Sequence, residues 1–194
     1  MRPYDLLTIG HSNLAAERFV ALLRGAGVTA VADVRSVPFS RWCPWFSGKA
    51  LAERLADERI AYIALGDALG GRPRDPMLYR EGVADYEAMA ARPEFAAGLA
   101  RLIDATSCQR VCLLCAEREP LDCHRCLLVG RALCECGLTL GHIRPDGAIE
   151  PHAATEERLL ALAGGDADLF RSRADRLAHA YRRRAQAVAE RLKT

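Results

Sequence analysis

The sequence has no run of about 18 apolar residues, which is the length that a transmembrane helix requires. It also lacks a charged and then apolar leader, since it begins MRPYD and continues directly into a strand-like segment. These two absences lead us to expect a cytoplasmic protein with no membrane span and no membrane partner. The net charge is only +2, which is too small to indicate a polyanionic partner by itself.

Aromatic residues are scarce and make up 6% of the chain. The segment 36–48 is nevertheless rich in them and includes Trp42, Trp45 and Phe46, so we expect this loop to be a lid or a wall that stacks on a planar base. Cysteine is not scarce, because the chain has eight. A reducing cytoplasm would not keep them as disulfides, so the sequence favours thiol or metal chemistry.

Apolar segments of strand length alternate with segments of helical periodicity along most of the 194 residues. This alternation predicts the α/β class, with an open, mostly parallel sheet of about five strands, helices on both faces and a C-terminal helical extension. We expect residues 1–150 to form the α/β domain and residues 151–194 to form the extension. A hairpin is predicted after residue 143, and the segment 81–91 is predicted to be a helix.

The C-terminal extension has an uneven charge. Apolar residues recur at spacings of three and four over residues 170–192, which predicts a helix with one apolar stripe. Residues 168–194 include eight basic and three acidic side chains. We expect the stripe to pack on the domain or on a second subunit, as in a homodimer, with the arginines in solvent. The alternative is that the arginine triplet 182–184 contacts nucleic acid.

One stretch carries most of the candidate chemistry. A short apolar run ends at Cys115, a polar loop follows, and a helical pattern begins near Cys123. The carboxyl ends of strands border the ligand crevice in α/β sheets, and helix N-termini favour anions. A helix start, His124 and Arg125 each lower the pKa of a neighbouring thiol, so Cys123 or its rival Cys115 is the predicted nucleophile.

Other polar residues follow the ends of the remaining predicted strands, so we expect them at the same edge of the sheet. His124 or His11 is the predicted general base or acid, and Glu117 is placed in the same catalytic group. The residues predicted to bind or orient the substrate are Ser12, Asp33, Arg35, Arg41, Gly70, Gly71, Arg72 and Arg125.

Several of these residues also have a purely structural interpretation. His11 is explained as well by a hydrogen-bonded core histidine, and Asp33 with Arg35 by a buried ion pair that fixes two loops. Glu117 is explained by a helix cap or by exposure to water.

A metal site is a further alternative for the cysteine and histidine residues. Zinc takes thiolate and imidazole ligands in tetrahedral geometry, and Cys115, Cys123, His124 and His11 are the residues that could supply them. We predict no cofactor, with zinc as the alternative.

Four blocks of sequence occur in order over about residues 5–145. They are TIGHSN at 8–13, DVRSVP at 33–38 with SR at 40–41, LGGR at 69–72, and LCAE at 114–117 leading to CHR at 123–125. Together they resemble the signature blocks of a bacterial and archaeal family called domain of unknown function 488. The resemblance implies a cytoplasmic α/β domain whose polar blocks meet in one pocket, and it implies no particular reaction.

The residues therefore have to indicate the function. We expect an enzyme, a cysteine-dependent hydrolase or transferase, that acts on an anionic small molecule, a nucleotide or a nucleic-acid base. One alternative is a nucleic-acid-binding protein without catalytic activity. The other is a zinc-binding or thiol redox regulator.

Overall fold

The computed structural model describes residues 3–164 and 172–191. At its centre lies one sheet of six strands: β1 (Leu6–Gly10), β2 (Ala30–Asp33), β3 (Ala61–Ala64), β6 (Val111–Cys115), β7 (Leu140–Ile143) and β8 (Ile149–Pro151). Two short strands, β4 (Tyr79–Arg80) and β5 (Val83–Ala84), form a separate hairpin. The order across the large sheet is β3-β2-β6-β1-β7-β8. The predicted α/β class is confirmed, with six strands instead of about five.

Every pairing in the large sheet is parallel except that of β7 with β8. The exception is the hairpin predicted from the turn at Asp146 and Gly147. In the parallel register, Gly10 of β1 lies opposite Cys115 of β6, and Asp33 of β2 lies opposite Leu114. Because β2, β6 and β1 are neighbours, the residues that follow these three strands emerge side by side.

The α-helices and one π-helix of the described residues flank the sheet. They are α1 (Ala16–Gly25), α2 (Gly48–Asp57), α3 (Gly66–Leu69), α4 (Tyr86–Ala90), α5 (Pro93–Thr106), a π-helix (Arg125–Gly130), α6 (Arg131–Glu135), α7 (His152–Leu162) and α8 (Arg173–Arg191). None of these helices is long and apolar enough to cross a membrane.

Both faces of the sheet are covered, because successive strand residues point to opposite sides. On β6, Cys112 and Leu114 join a core formed with α1 and α2, whereas Val111 and Leu113 join a core formed with α5 and the π-helix. All five residues of β6 are buried, as expected of a central parallel strand.

The C-terminal helix packs on the same core as the sheet. Leu177, Tyr181 and Val188 of α8 are buried there, so the predicted apolar stripe lies against the domain from Leu177 onward, whereas Ala174 is exposed. The predicted stripe residues Phe170 and Leu192 lie outside the described residues.

The prediction of one helix over residues 81–91 is wrong in its first half. Glu81 and Gly82 adopt positive φ angles of 53° and 75° and form the turn between β4 and β5. Glycine adopts a positive φ angle without a steric penalty, and a right-handed helix cannot continue through this conformation. The helix α4 begins only after Asp85, whose side chain accepts a hydrogen bond from the backbone N–H of Ala88.

A line of buried polar side chains connects the centre of the sheet to α8. Thr8 Oγ1 lies 2.7 Å from His142 Nδ1, and His142 Nε2 lies 3.0 Å from His152 Nδ1. His152 Nε2 is 2.9 Å from the Tyr181 hydroxyl, which donates to Glu156 at 3.1 Å. These contacts satisfy both imidazole nitrogens of each histidine, which accounts for two histidines inside the core.

We expect this buried pair to make the protein less stable in acid. Burial, His152 and Arg125 hold the pKa of His142 well below its ordinary value of 6.5. Below pH 6.5 the unfolded chain therefore binds a proton that the folded chain does not, and stability falls as the pH falls. From pH 7 to pH 5, this one group should reduce the free energy of unfolding by about 2 kcal/mol.

Urea denaturation at pH 7 and pH 5 measures this effect. His142→Gln does not titrate, so its loss of stability between the two pH values should be smaller by about 2 kcal/mol than that of the unaltered chain. The matched control is His179→Gln, at an exposed position on α8. Equal acid sensitivity of all three proteins would contradict the prediction.

Candidate functional site

A cavity of about 340 Å³ lies where β1, β2 and β6 end. Its floor is built by loops that run alongside one another, since the backbone N–H groups of His11 and Ser12 donate to the carbonyls of Cys115 and Ala116. The cavity is lined by His11, Arg35, Ser36, Val37, Phe39, Ser40, Gly71, Arg72, Tyr86, Cys115, Ala116, Glu117, Asp122, His124 and Val188.

Four side chains converge at the bottom of this cavity. The sulfur atoms of Cys115 and Cys123 lie 3.0 and 3.1 Å from the same oxygen, Oε2 of Glu117. The same two sulfurs lie 3.6 and 4.0 Å from Nδ1 of His124. The two sulfurs, the carboxylate oxygen and the imidazole nitrogen all lie within 4.8 Å of one another. We call these four residues the Cys-Glu-His cluster.

The imidazole of His124 is held in one orientation. Its Nε2 lies 2.9 Å from the backbone carbonyl of Val34, the residue after β2. A carbonyl can only accept, so Nε2 carries the proton and Nδ1 presents its lone pair to the two sulfurs when the ring is neutral. The other side of the ring contacts Gly71, where a Cβ atom would lie 2.6 Å from His124 Cγ. Only glycine leaves room for this ring position.

Arg125 is buried beneath the cluster, with 1% of its surface exposed. Its guanidinium donates to the carbonyls of Glu117 at 2.5 Å and Arg118 at 3.0 Å, and to Thr8 Oγ1 at 3.3 Å. Its backbone N–H points to Cys123 Sγ at 3.4 Å. Arg125 also begins the π-helix, a form that is frequent at functional sites. The structure therefore gives this predicted anion holder the role of fixing the loop that carries Glu117.

The pKa values of the acidic groups in the cluster are shifted in different directions. Burial raises the pKa of Cys115 well above its ordinary value, and the neighbouring Cys123 adds to the rise. Burial also disfavours the Cys123 thiolate, but the hydrogen bond from Cys115 and the charge of Arg125 outweigh it and place the pKa of Cys123 well below its ordinary value. Burial, followed by the charge of Cys123, raises the pKa of Glu117. Of the two thiols, Cys123 is therefore the one whose deprotonated form is favoured.

A second polar group forms one wall of the cavity. Arg35 binds Asp33 through two hydrogen bonds, Nε to Oδ1 at 2.8 Å and Nη2 to Oδ2 at 2.5 Å, and Tyr62 donates to the same carboxylate at 2.8 Å. The remaining Nη1 of Arg35 lies 3.2 Å from His11 Nε2. The ion pair considered from the sequence is thus present, and one edge of Arg35 still faces the cavity.

His11 is neutral at physiological pH. Burial, and then the charge of Arg35, lower its pKa to about 4. Its Nδ1–H donates to the carbonyl of Ser12 at 2.9 Å, so Nε2 accepts from Arg35. The ring stacks on Phe46 with 4.2 Å between centroids. Both nitrogens are engaged, which favours a role for His11 in orienting Arg35.

Seven of the predicted site residues line the cavity: His11, Arg35, Gly71, Arg72, Cys115, Glu117 and His124. Cys123 lies behind them, in contact with Glu117. The other predicted residues, Ser12, Asp33, Arg41, Gly70 and Arg125, are not part of the cavity wall. The helix-cap interpretation of Glu117 is wrong. Glu119 caps the short 3-10 helix Pro120–Asp122, where its carboxylate accepts from the N–H of Leu121 at 3.2 Å, and His124 is the N-cap of the π-helix.

The aromatic loop differs from the prediction. Phe46 is buried between His11 and Phe19, so it offers no free face to a planar base. Trp45 donates through Nε1 to the carbonyl of Leu14, and Trp42 is 81% exposed beneath the guanidinium of Arg41. The aromatic residue of this loop that does line the cavity is Phe39.

Two cavity residues come from segments to which the sequence assigned no site: Tyr86 is the first residue of α4, and Val188 belongs to α8. Burial raises the pKa of Tyr86, so its phenol keeps the proton and can act as a donor. No motif marks these residues, and only the packing of α4 and α8 brings them to the site. Ser36 was detectable, because it follows Arg35 in the DVRSVP block.

The arginine triplet of α8 contacts the chain itself. Arg184 donates to Asp122 at 2.5 Å and to the carbonyl of Leu121 at 2.8 Å. Arg183 donates to the carbonyl of Ala163, and Arg182 approaches Glu87. A contact of this triplet with nucleic acid stays a prediction.

Residues 15–132, more than half of the 194-residue chain, match the family described as "Domain of unknown function DUF488". This confirms the resemblance noted from the sequence blocks. No curated protein and no solved structure matches the chain. Within the cavity, His11 and Val188 come from outside the matched span.

Proposed function

Since the chain belongs to the DUF488 family, whose description states no activity, we propose from the site itself that the protein is a cysteine-dependent hydrolase or transferase. Its substrate is an anionic small molecule, and a nucleotide or a nucleic-acid base is the leading class. The observation that carries the proposal is that the Cys-Glu-His cluster opens into a cavity that two arginines line.

The dimensions and the charge of the cavity support an anionic substrate. A volume of about 340 Å³ lies at the lower end of the range of about 300–1,000 Å³ that is usual for small-molecule sites. Arg72 is exposed at the rim and has its backbone N–H fixed by Ser36 Oγ at 2.8 Å. Arg35 lies deeper, with its orientation set by Asp33 and His11. An anion held between these arginines reaches the wall that carries Cys115 and Glu117.

The two cysteines have different places in this proposal. Cys115 lies on the cavity wall, where a substrate can contact it, and Cys123 lies behind it. A reaction that depends on the cluster should therefore be lost when either sulfur is replaced by oxygen. That one of these thiols is the nucleophile stays a prediction. It is tested by comparing the rate at which iodoacetamide labels these cysteines with the rate for a free thiol at pH 7.

The proposal is tested by incubating the full-length chain with an extract of anionic metabolites and following each compound by mass spectrometry. We expect the unaltered chain to consume at least one anionic metabolite. Cys115→Ser should reduce that consumption at least about 100-fold, since it removes a reacting or positioning group. Arg72→Ala should raise KM more than it lowers kcat, because Arg72 holds the anion at the rim.

The matched control is Cys136→Ser, at an exposed position remote from the cavity, which should leave consumption unchanged. Circular dichroism verifies that each variant is folded. If no anionic metabolite is consumed, or if Cys115→Ser consumes it at the unaltered rate, the proposed function is wrong.

A further inference from the structure

The Cys-Glu-His cluster has the composition of a metal site. It combines two thiols, one imidazole nitrogen and one carboxylate oxygen, and Zn²⁺ binds these three ligand types in tetrahedral sites. We infer that Cys115, Glu117, Cys123 and His124 bind one Zn²⁺ ion, with both sulfurs as ligands. The ion site is argued from the cluster alone, and its use in catalysis rests on the proposed function.

The distances within the cluster fit a single ion. With about 2.3 Å from zinc to sulfur and about 2.0 Å from zinc to nitrogen or oxygen, two tetrahedral sulfur ligands lie about 3.8 Å apart, and a sulfur lies about 3.5 Å from a nitrogen or oxygen ligand. The sulfur-to-nitrogen distances here are 3.6 and 4.0 Å, and the sulfur-to-oxygen distances are 3.0 and 3.1 Å. These four distances differ from the tetrahedral values by about 0.5 Å at most, and all four atoms lie within 4.8 Å of one another.

The surroundings of His124 support the same assignment. Histidine ligands of zinc commonly donate their second N–H to a carbonyl or a carboxylate, which fixes the ring and its tautomer. Here Nε2 lies 2.9 Å from the carbonyl of Val34, and Gly71 leaves room for the ring on its other side. The coordinating lone pair of Nδ1 is thus directed at Cys115 and Cys123.

The charge of the site is also suited to a cation. The two thiols of the cluster and the carboxyl group of Glu117 lie close together. The neighbouring guanidinium of Arg125 donates instead to the carbonyls of Glu117 and Arg118 and to Thr8. The contacts of the Glu117 carboxylate are with the two sulfurs. A divalent cation would offset the charge that these groups carry when deprotonated.

A second group of potential ligands in the core does not show the same features. Cys126, His142 and His152 also lie close together. However, both nitrogens of each of these imidazoles contact Thr8, Tyr181 or the other histidine, so none presents a free lone pair to an ion. Zinc is therefore assigned to the Cys-Glu-His cluster.

The position of the cluster suggests which ligand can exchange. Cys115, Glu117 and His124 line the cavity, so an ion here is accessible to a small molecule. Glu117 is borne on the loop after β6, whereas Cys115 ends the strand itself. We assign Glu117 as the ligand that yields to a substrate or to water.

The test is the zinc content of the full-length chain purified from zinc-supplemented cells, measured by inductively coupled plasma mass spectrometry. We expect about one ion per chain, as for a closed tetrahedral site. Cys123→Ser and His124→Gln should each lower the content at least about tenfold. Cys136→Ser is the matched control and should keep the full content, as its thiol is exposed and outside the cluster.

Replacement of zinc by Co²⁺ in the unaltered chain is a second measurement that does not depend on how well a variant folds. Two thiolate ligands in a tetrahedral site give intense sulfur-to-cobalt charge-transfer bands and strong visible bands. Less than about a tenth of an ion per chain, together with no such bands, would overturn the inference. Zinc uptake without consumption of any anionic metabolite would overturn the proposed function alone, and consumption by the zinc-free chain would overturn the catalytic role of zinc.

Discussion

Replacing Arg125 by methionine is expected to reduce the free energy of unfolding by about 3–5 kcal/mol, one of the two largest effects we predict. The side chain is buried, and its guanidinium donates to two carbonyls and one hydroxyl. Each carbonyl left unpaired in the interior costs about 1–3 kcal/mol. Methionine has a similar length but offers no donor, so the loop that carries Glu117 would lose its support.

Urea denaturation measures this loss, and two other variants define its origin. Arg125→Lys keeps the charge but cannot reach three acceptors with a single ammonium group, so it should recover only part of the stability. Arg118→Met is the matched control at an exposed position, and it should change the free energy of unfolding by less than about 0.5 kcal/mol. If Arg125→Met proved as stable as Arg118→Met, the supporting role of Arg125 would be refuted.

Replacing Gly10 by alanine is the second substitution with a large expected effect. A Cβ atom at residue 10 would lie 1.7 Å from the carbonyl oxygen of Glu117, which is backbone and cannot rotate away. Either β1 or the loop after β6 must move, and overpacking of this kind reduces stability by about 1–3 kcal/mol or more. The displaced residue is Glu117 itself, so the cluster should lose its geometry as well.

The effect is measured by urea denaturation against Gly25→Ala on α1, where a Cβ atom meets nothing within 4 Å. This control should be neutral or more stable by less than about 1 kcal/mol, because alanine is the better helix former. A Gly10→Ala protein as stable as the control would show that the loop accommodates the methyl group.

Much of the fold follows from the sequence because its strands are short apolar runs between helical segments. The residues of β1, β2 and β6 are almost all apolar and fully buried, and their period and length identify them. The failure at residues 81–85 has a local cause. A two-residue turn at Glu81 and Gly82 separates strands of only two residues, which are too short to show a period of two.

The candidate site was predictable to the extent that topology dictates it. Parallel strands end at one edge, so His11, Arg35 and Glu117 could be placed together without knowledge of their contacts. The sequence could not indicate that Arg125 points inward, because a helix start predicts exposure to an anion as readily as burial. It also could not place Tyr86 or Val188 in the cavity wall, because their positions depend on how α4 and α8 pack.

In the line of hydrogen bonds from the sheet to α8, the donor and the acceptor of each bond are fixed. Arg125 can only donate to Thr8, and the Glu156 carboxylate can only accept from Tyr181, so every hydroxyl and ring proton between them must point the same way. Both core histidines are thereby confined to a single tautomer, with the proton on Nε2. Helix α8 lies outside the residues that match the family. Through Tyr181 it nevertheless helps to fix which atoms carry the protons in the line of hydrogen bonds that ends at Arg125, the residue that supports the cavity floor.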